Sequence, residues 1–392
     1  MSDAPPTIVV ADLHLSRGTP REVGRDFARL LERHADARVI VAGDLFDLAT
    51  ETAGMSRERA VEVVLETHPE IRRAMGRHLD RGGELWLAPG NHDPDLGRAR
   101  SLEALLDAIG PSSRGRSRLR GTDWFFRVGG LHVEHGHVYD PDNAPAHPLI
   151  LGSPSLGTHF CVEFLHPTQA HDYLLTNEST PGKLFLSAFQ LYGRRGPQVV
   201  FRYFYAAFLA LVQSGPLYRG TEERARGLVE QRPFAARAGV PEELVERLCA
   251  LTAEPTLTSL RGTFARLYLD RALATVATAG GLLATLAGRR RSGAAAALLG
   301  AAALSLSWAR GHDRYQGNVS TCLAAAAQRI TDECAAELVV FGHSHREDEA
   351  PGYANTCSFA HPRPPCEPGR PYLEIRSAGA GPRARRRRVL PD

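Results

Sequence analysis

Five short apolar segments, each followed directly by a cluster of Asp, Asn or His residues, constrain the fold of this chain more than any other feature. Helical spacing separates the first segments, for example over residues 21–34, where Val23, Phe27, Leu30 and Leu31 share one face. Strands that alternate with helices predict an α/β domain in which helices flank a layered sheet. The five segments are residues 7–11, 38–42, 84–88, 124–134 and 338–341.

Four of the five clusters contain a glycine, and all five carry side chains that bind hard or borderline cations. Glycine lets the backbone turn sharply, so neighbouring side chains can converge. Carboxylate, carboxamide and imidazole groups suit Mn, Fe, Zn or Mg better than soft metals. A single Asp-x-His is more typical of a surface loop, but five such strand ends predict a metal site. The clusters are Asp12-x-His14, Gly43-Asp44-x-x-Asp47, Gly90-Asn91-His92-Asp93, His135-Gly136-His137 and Gly342-His343-Ser344-His345.

In this order the clusters resemble the motif series of the calcineurin-like metallophosphoesterase family: D-x-H, G-D-x-x-D, G-N-H-D/E, H and G-H-x-H. The resemblance covers roughly residues 7–140 and 335–360, and residues 353–359 resemble the family's strand after the last histidine pair. It implies the metallophosphoesterase fold and a hydrolase that binds two divalent metal ions, for which we favour manganese. Two such cations lower the pKa of a shared water and stabilise the charge of the transition state.

The resemblance also implies a role for each matching residue. His92 would face the substrate and donate a proton to the leaving group. Asp47 and Asp93 would orient the ligands. In the fourth cluster His135 is the expected ligand, His137 is the alternative, and His132 is an ordinary strand residue. Seven residues would bind metal: Asp12, His14 and His345 the first ion, Asn91, His135 and His343 the second, and Asp44 both.

Two departures argue against a protein serine/threonine phosphatase. The third cluster ends in Asp93, not Glu, and Asp47-Leu48-Ala49 stands where those enzymes carry Asp-Arg-Gly. The motif style is closer to the branch of UDP-2,3-diacylglucosamine pyrophosphohydrolases, which cleave a lipid-linked pyrophosphate. That branch has His-Gly-Asp in the fourth motif and a smaller insertion, so its substrate does not transfer to this chain.

Alternative functions stay open at this point. A soluble phosphodiesterase or nuclease of the same fold is one, although a net charge of +3 and the lack of a basic, aromatic-rich helix give no reason to expect nucleic acid. A metal-free scaffold protein is another, but it would require lost ligands, and none is missing. No protein partner is predicted; the expected partner is a phosphorylated small molecule or lipid.

The chain is expected to be cytoplasmic. Residues 1–6 are polar and show no secretory signal. The six cysteines form no C-x-x-C pair, which favours a reducing compartment. Residues 1–150 and 315–382 are predicted to form one split domain, interrupted by a helical insertion over 151–314. The basic tail, residues 383–392, is predicted to be disordered.

The insertion contains apolar segments that suggest association with a membrane. Residues 199–212 are aromatic and apolar, and residues 272–288 and 293–309 are uncharged and joined by Arg289–Ser292, which predicts a helical hairpin. At 17 residues each, the uncharged segments are at the lower limit for a membrane span. Gly280, Ala284 and Gly288 recur every four residues and are expected to allow close helix contact. The alternative is a soluble Ala-rich helix pair.

Overall fold

The computed structural model describes residues 6–51, 55–168, 181–309, 318–362, 367–378 and 381–390. The chain divides into two compact units. The first comprises residues 1–154, 220–255 and 320–392, and the second comprises residues 155–219 and 256–319. The predicted insertion over 151–314 therefore differs from the second unit, because residues 220–255 return to the first.

A six-stranded sheet forms the first half of the α/β core. Its parallel strands β1–β4 are in register, with Val9 beside Ile40 and Ile40 beside Trp86. Two antiparallel strands extend the sheet beyond β1, giving the order β11-β10-β1-β2-β3-β4. The strands are β1 (Thr7–Val10), β2 (Arg38–Ala42), β3 (Glu84–Ala88), β4 (Leu119–Gly121), β10 (Arg370–Ala378) and β11 (Gly381–Val389).

A second sheet has the strand order β5-β6-β7-β9-β8. The predicted strand over 124–134 is divided in two by a turn at Gly129-Gly130, where Gly129 has a φ of 57°. β6, β7 and β9 are parallel, and β5 and β8 pair with them as antiparallel edges. The strands are β5 (Phe126–Val128), β6 (Leu131–Val133), β7 (Leu338–Phe341), β8 (Glu347–Ala350) and β9 (Tyr353–Thr356).

Helices pack on the first sheet, and the two sheets share an apolar core. The predicted helix over 56–80 divides at His68, because Pro69 begins a new helix, where its missing N–H is not needed. Val9, Ile40, Val133 and Val340 belong to one buried cluster, which joins both sheets. The α/β fold class is thus confirmed. The helices of the first unit, numbered along the whole chain, are α1 (Arg21–Arg33), α2 (Leu48–Glu51), α3 (Arg57–Thr67), α4 (Pro69–Asp80), α5 (Ala99–Ile109), α6 (Ser113–Arg116), α11 (Gly220–Ala238), α12 (Glu242–Leu251) and α16 (Asn318–Cys334).

The described part of the second unit is helical, with a small core around Phe160, Phe164 and Tyr203. The aromatic segment 199–212 lies in α10, which buries Tyr203 and exposes Phe201 and Phe208. The helices are α7 (Leu156–Phe160), continued by a π-helical turn (Cys161–Leu165) and α8 (His166–Thr168), then α9 (Pro181–Tyr192), α10 (Gly196–Val212), α13 (Leu260–Arg266), α14 (Leu269–Leu286) and α15 (Arg290–Ala309).

The predicted hairpin is formed by α14 and α15, but the glycines that allow its close contact are not those expected. A Cβ on Gly281 would lie 2.4 Å from the backbone nitrogen of Ala297, whereas a Cβ on Gly280 or Gly288 would meet nothing within 4 Å. The every-fourth-residue pattern therefore selected the wrong side of α14. Gly288 instead ends the helix, with a φ of 91°.

The prediction that the basic tail is disordered is wrong for its described part. Residues 383–389 lie in β11, which pairs with β10 along its whole length. Carboxylates neutralise the arginines: Arg387 Nε lies 3.1 Å from Glu374 Oε2, and Arg386 Nη2 lies 3.0 Å from Glu349 Oε1. Charge repulsion within the run is thereby offset. Residues 391–392 lie outside the described residues.

Candidate metal centre

The five clusters follow the C-terminal ends of β1, β2, β3, β6 and β7. Backbone and side-chain hydrogen bonds join them into one site. Asp44 Oδ1 accepts from the His92 backbone N–H at 2.9 Å, and Asp12 Oδ2 accepts from that of His343 at 3.1 Å. His135 Nδ1 donates to the carbonyl of Ala42 at 2.9 Å. These bonds tie clusters from both sheets together.

Asp12, His14 and His345 converge, as the prediction for the first metal requires. His345 Nε2 lies 3.0 Å from Asp12 Oδ1 and 3.1 Å from His14 Nε2. His14 Nε2 lies 3.6 Å from Asp12 Oδ1. One carboxylate oxygen and two imidazole nitrogens thus converge on one point, and the Asp12 carboxylate is fully buried there.

Asp44, His135 and Asn91 form the neighbouring group. His135 Nε2 lies 3.2 Å from Asp44 Oδ2 and 3.1 Å from Asn91 Oδ1. Because Nδ1 of His135 donates to the Ala42 carbonyl oxygen, Nε2 is the nitrogen that faces the site. Asp44 Oδ2 also lies 3.8 Å from His14 Nε2. Asp44 therefore lies between the two groups of predicted ligands.

Convergence requires backbone conformations that most residues avoid. Five predicted ligands have a positive φ, between 46° and 67°, in the left-handed region. Asp, Asn and His tolerate this region better than most residues, but each such position costs about 1–3 kcal/mol. Strain of this kind is concentrated at functional sites. The residues are Asp12, His14, Asp44, His343 and His345.

Two glycines are required by close approach. A Cβ on Gly90 would lie 2.1 Å from Asp44 Oδ1, and a Cβ on Gly43 would lie 2.5 Å from the His135 ring. Gly43 also has a φ of 87°. These glycines let the strand ends come close enough for Asp44 and His135 to meet.

His343 is oriented by a residue that the sequence analysis missed. Its Nε2 lies 2.9 Å from Asp140 Oδ2. Asn143 Nδ2 donates to the same carboxylate oxygen at 2.7 Å, and Asn143 Oδ1 accepts from Asn91 Nδ2 at 3.3 Å. Asp140 and Asn143 therefore orient two predicted ligands, and Nδ1 is the nitrogen of His343 that could bind a metal ion. The only sequence signal for them is the polar run Asp140-Pro141-Asp142-Asn143, which ends no strand.

Asp47 and Asp93 are the two carboxylates that the resemblance expects to orient the ligands. Asp47 Oδ1 lies 2.8 Å from His92 Nδ1, so it orients the proposed proton donor. Asp93 instead accepts three backbone N–H groups, from Asp44 at 3.1 Å, Gly90 at 2.8 Å and Phe46 at 3.1 Å. Asp93 thus holds the second and third clusters together through the backbone.

The structure distinguishes the histidines around the fourth cluster. His135 Nε2 lies 3.2 Å from Asp44 Oδ2. His137 belongs to none of the three described groups of side chains whose ligand atoms lie within 4.8 Å of one another, and neither does the predicted ligand His343. Burial and the nearby His135 lower the pKa of His137 well below its usual value. His132 lies in β6, with Nε2 2.8 Å from the buried carboxylate of Glu134. The geometry therefore favours His135 over His137.

β9 and the loop after it position Asp12 and Gly342. Ser358 Oγ donates to the Asp12 carbonyl at 2.9 Å, and Asn355 Nδ2 donates to the Gly342 carbonyl at 2.7 Å. This is the segment that resembles the family's last strand, although the strand itself ends at Thr356. Its contribution to the site comes from these hydrogen bonds to the backbone.

The residues fit a divalent cation. Asp12 Oδ1 is buried and receives no hydrogen bond of acceptable geometry, although two imidazoles lie beside it. Burial lowers the pKa of His135, but the carboxylates of Asp44 and Asp12 have the larger effect and raise that pKa to about 9. The pKa of Asp44 is held well below its usual value, against the effect of burial, by His135 and His92. The site therefore stabilises positive charge among its carboxylates, as a metal site must.

His92 is the one predicted non-ligand inside these groups. Its ring nitrogen lies within 4.8 Å of the ligand atoms of His14 and Asp44, and the two rings of His14 and His92 meet edge to face at 4.8 Å. Distance alone would allow His92 to bind a metal. Because Nδ1 bonds to Asp47, Nε2 is the ring nitrogen that could bind a metal ion or donate to a substrate.

Comparison with known proteins gives one finding. Residues 5–200, half of the 392-residue chain, match the sequence model of a family described as calcineurin-like phosphoesterase. The matched range contains the first four clusters, whereas the His343/His345 cluster lies beyond it. No curated protein matches the chain. The match supports the family and does not extend to the UDP-2,3-diacylglucosamine branch.

Proposed function

The chain belongs to the calcineurin-like phosphoesterase family, and from this premise we propose that it is a hydrolase that uses two divalent metal ions to cleave a phosphate ester or pyrophosphate. One observation carries the proposal. Asp44 is buried, and its Oδ2 lies 3.2 Å from His135 Nε2 and 3.8 Å from His14 Nε2. A single carboxylate thus reaches ligands of both predicted metals.

The chain's residues would hold the two ions in adjacent groups. When bound, such ions supply a water of lowered pKa as nucleophile and stabilise charge on the phosphoryl oxygens. We favour manganese, since the oxygen and imidazole ligands suit it. Asp12, His14 and His345 would hold one ion, Asn91, His135 and His343 the other, and Asp44 both.

His92 is proposed to donate a proton to the leaving group. Asp47 accepts the Nδ1 proton at 2.8 Å and so fixes the orientation of the ring. Nε2 of His92 is then the position from which a proton can be delivered. His92 is partly exposed, with 18% of its side chain accessible, which lets a substrate reach it.

We further propose that the substrate is a lipid-linked phosphate and that the protein acts at the cytoplasmic surface of a membrane. The support for this is the uncharged hairpin in the second unit. Among the described residues, one helix, α15 (Arg290–Ala309), is long and apolar enough to cross a membrane.

The experiment that tests the function is an assay of the purified full chain against phosphomonoesters, phosphodiesters, nucleotide-sugar pyrophosphates and lipid phosphates. Mn, Mg or Zn is added to protein first stripped with chelator. We expect hydrolysis that is lost in chelator and restored by Mn, and an Asp44→Asn variant without activity. Asp107→Asn changes an exposed carboxylate and serves as the matched control. Hydrolysis that persists in chelator would contradict the proposal.

A further inference from the structure

We infer that the hairpin formed by α14 (Leu269–Leu286) and α15 (Arg290–Ala309) inserts into the hydrocarbon region of a lipid bilayer. The two helices pack against each other and contain no residue of the candidate metal centre. The inference therefore stands on the second unit alone. Its link to a lipid-linked substrate is the only part that rests on the proposed function.

Only a narrow seam of the hairpin is buried. The seam consists of small residues, and a Cβ on Gly281 or Gly300 would lie within 2.4 Å of the facing helix. Large aliphatic side chains point away from it: Val276 is 69% exposed and Leu299 is 72% exposed. A folded protein in water rarely exposes so continuous an apolar surface. The other exposed aliphatic residues of the hairpin are Leu273, Leu282, Leu283, Leu286, Leu298 and Leu306.

Charge is absent from the hairpin surface between its ends. Residues 272–288 and 292–309 contain no Asp, Glu, Lys or Arg. Arg289, Arg290 and Arg291 are exposed at the turn between the helices, where long cationic side chains can reach phosphate headgroups. The distribution matches a bilayer, which is apolar in the middle and charged at its surface.

Arg271, at the open end of the hairpin, is bound within the fold. Arg271 is buried, and its Nε donates to Ser307 Oγ at 3.0 Å. Ser307 Oγ in turn donates to Asp270 Oδ2 at 2.8 Å. The rings of Tyr268 and Trp308 lie 4.9 Å and 5.6 Å from the guanidinium carbon. Tyr and Trp are enriched at the membrane–water interface, so this network marks where the hairpin would leave the bilayer.

The hydroxyl groups of α14 are satisfied within the helix. Thr275, Thr278 and Thr285 each donate to the carbonyl four residues earlier, at 2.7–2.8 Å. In water such bonds contribute little to stability, because water would accept hydrogen bonds from the same hydroxyl groups. In hydrocarbon every polar group needs an internal partner. These threonines therefore suit a lipid environment.

The hairpin's dimensions agree with insertion. The uncharged part of α15, residues 292–309, gives about 27 Å of helix at 1.5 Å per residue. This length is at the lower limit for the hydrocarbon region of a typical bilayer, which is about 30 Å thick. Two antiparallel helices also return the chain to the side from which it entered, as a split domain with clusters on both flanks of the hairpin requires.

A second copy of the chain is the competing occupant of this surface. A protein partner covers one face of a helix pair, whereas the exposed apolar residues continue around both helices outside the seam. Lipid covers such a surface on all sides. We therefore assign the surface to acyl chains, and the test is designed to separate the two occupants.

The test is flotation of the full chain with phosphatidylcholine vesicles in 1 M NaCl, where attraction between charges is screened. We expect the wild type to float with the vesicles. Val276→Lys/Leu299→Lys places charge on the apolar surface and is expected to lower the vesicle-bound to free ratio at least tenfold. Val229→Lys is the matched control, since Val229 is 73% exposed but lies in α11 of the first unit; it should float like the wild type.

The inference is overturned if the wild type stays with the soluble fraction, or if the double variant floats as well as the wild type. It is also overturned if the wild type is a vesicle-free dimer that the double variant converts to a monomer in light scattering. Hydrolysis of a soluble ester, bis-p-nitrophenyl phosphate, should be equal in all three proteins. Because that assay reports the metal centre separately, flotation still reads out the hairpin if the proposed activity is not found.

Discussion

The side chains of the site must come close together, and the carboxylates among them must stay charged although they are buried. Five of the residues adopt a positive φ so that their side chains meet, and two buried carboxylates, Asp12 and Asp44, lie among imidazoles that hold their pKa values low. A protein without a ligand to bind would gain nothing from such an arrangement, because each strained position lowers stability. The binding of cations is what would offset that cost.

The first prediction concerns the His92–Asp47 pair. His92→Ala should lower kcat by about 10²–10⁴ on an ester with a poor leaving group, because general acid catalysis is lost. Asp47→Asn should give a smaller loss of the same kind, since the ring keeps a weaker partner. Both losses should shrink when the leaving group is p-nitrophenolate, which departs without a proton.

Kinetics with both substrates and metal analysis together check this role. Equal losses on good and poor leaving groups, or a loss of bound metal in His92→Ala, would show that His92 binds metal instead. That outcome is a real alternative, because its ring nitrogen lies within 4.8 Å of the ligand atoms of His14 and Asp44.

The sequence predicts the convergent residues better than those that orient them. The candidate ligands follow strands, and the ends of neighbouring strands meet, so their proximity can be deduced from position. Asp140 follows a 3₁₀ turn and reaches His343 across 203 residues of sequence. No local pattern encodes such a contact. The same limit explains why the sequence does not show that Asp47 bonds to His92 and that Asp93 bonds to backbone N–H groups.

At the level of elements, His147 contacts both α11 and α12 within the first unit. Its Nδ1 accepts from the Leu149 N–H at 3.2 Å, and its Nε2 lies 3.2 Å from Gln231 Nε2 in α11. A Cβ on Gly227 of α11 would lie 2.1 Å from the ring, so the helix packs directly on it. Burial, helped by Arg224, lowers the pKa of His147 to about 4.

This predicts a loss of stability in acid. The folded pKa of His147 lies below its unfolded value of 6.5, so its contribution is fully present above pH 6.5 and is lost as pH falls toward 4. We expect His147→Gln to be less stable than the wild type at pH 7 but to show a smaller further decrease between pH 6.5 and 4.5. Urea unfolding at the two pH values measures this; an unchanged pH dependence in the variant would contradict it.

The hairpin offers a second test at this scale, with a control one residue away. Gly281→Ala should force α14 and α15 apart, because its Cβ would lie 2.4 Å from the backbone of Ala297. Gly280→Ala meets nothing within 4 Å and should stabilise the helix by up to about 1 kcal/mol, since alanine has the higher helix propensity. Hydrogen exchange of the amides in 269–309 should therefore speed up in the first variant and slow down or stay unchanged in the second. The same effect in both variants would show that the seam is placed wrongly.

The hairpin also shows what a sequence pattern leaves open. The uncharged segments 272–288 and 293–309 predicted two helices joined by a turn, and the structure contains both helices and the turn. The face on which they meet was not determined, because α14 has two adjacent glycines, Gly280 and Gly281, and spacing alone cannot choose between them. The basic tail is a similar case. Its charge favoured disorder until Glu347, Glu349 and Glu374 from other strands paired with it.

On the scale of the whole molecule, a phosphoesterase domain is interrupted by an apolar helical unit. The clusters that precede and follow the second unit in sequence meet at one site, so the two parts of the domain must fold together before metal can bind. Stability of the first unit should consequently rise with metal concentration, by about 2.7 kcal/mol at a hundredfold excess over the dissociation constant of one site.

Asp44, which lies beside ligands of both predicted ions, is proposed to bind both of them. Elemental analysis of the purified chain after reconstitution with Mn tests this proposal most directly. We predict two ions per chain in the wild type, in Asp107→Asn and in His137→Ala, and fewer than two in Asp44→Asn and His135→Ala. Two ions retained by Asp44→Asn, together with full hydrolysis, would contradict the account, and loss of an ion from His137→Ala but not from His135→Ala would reverse the assignment of the fourth cluster.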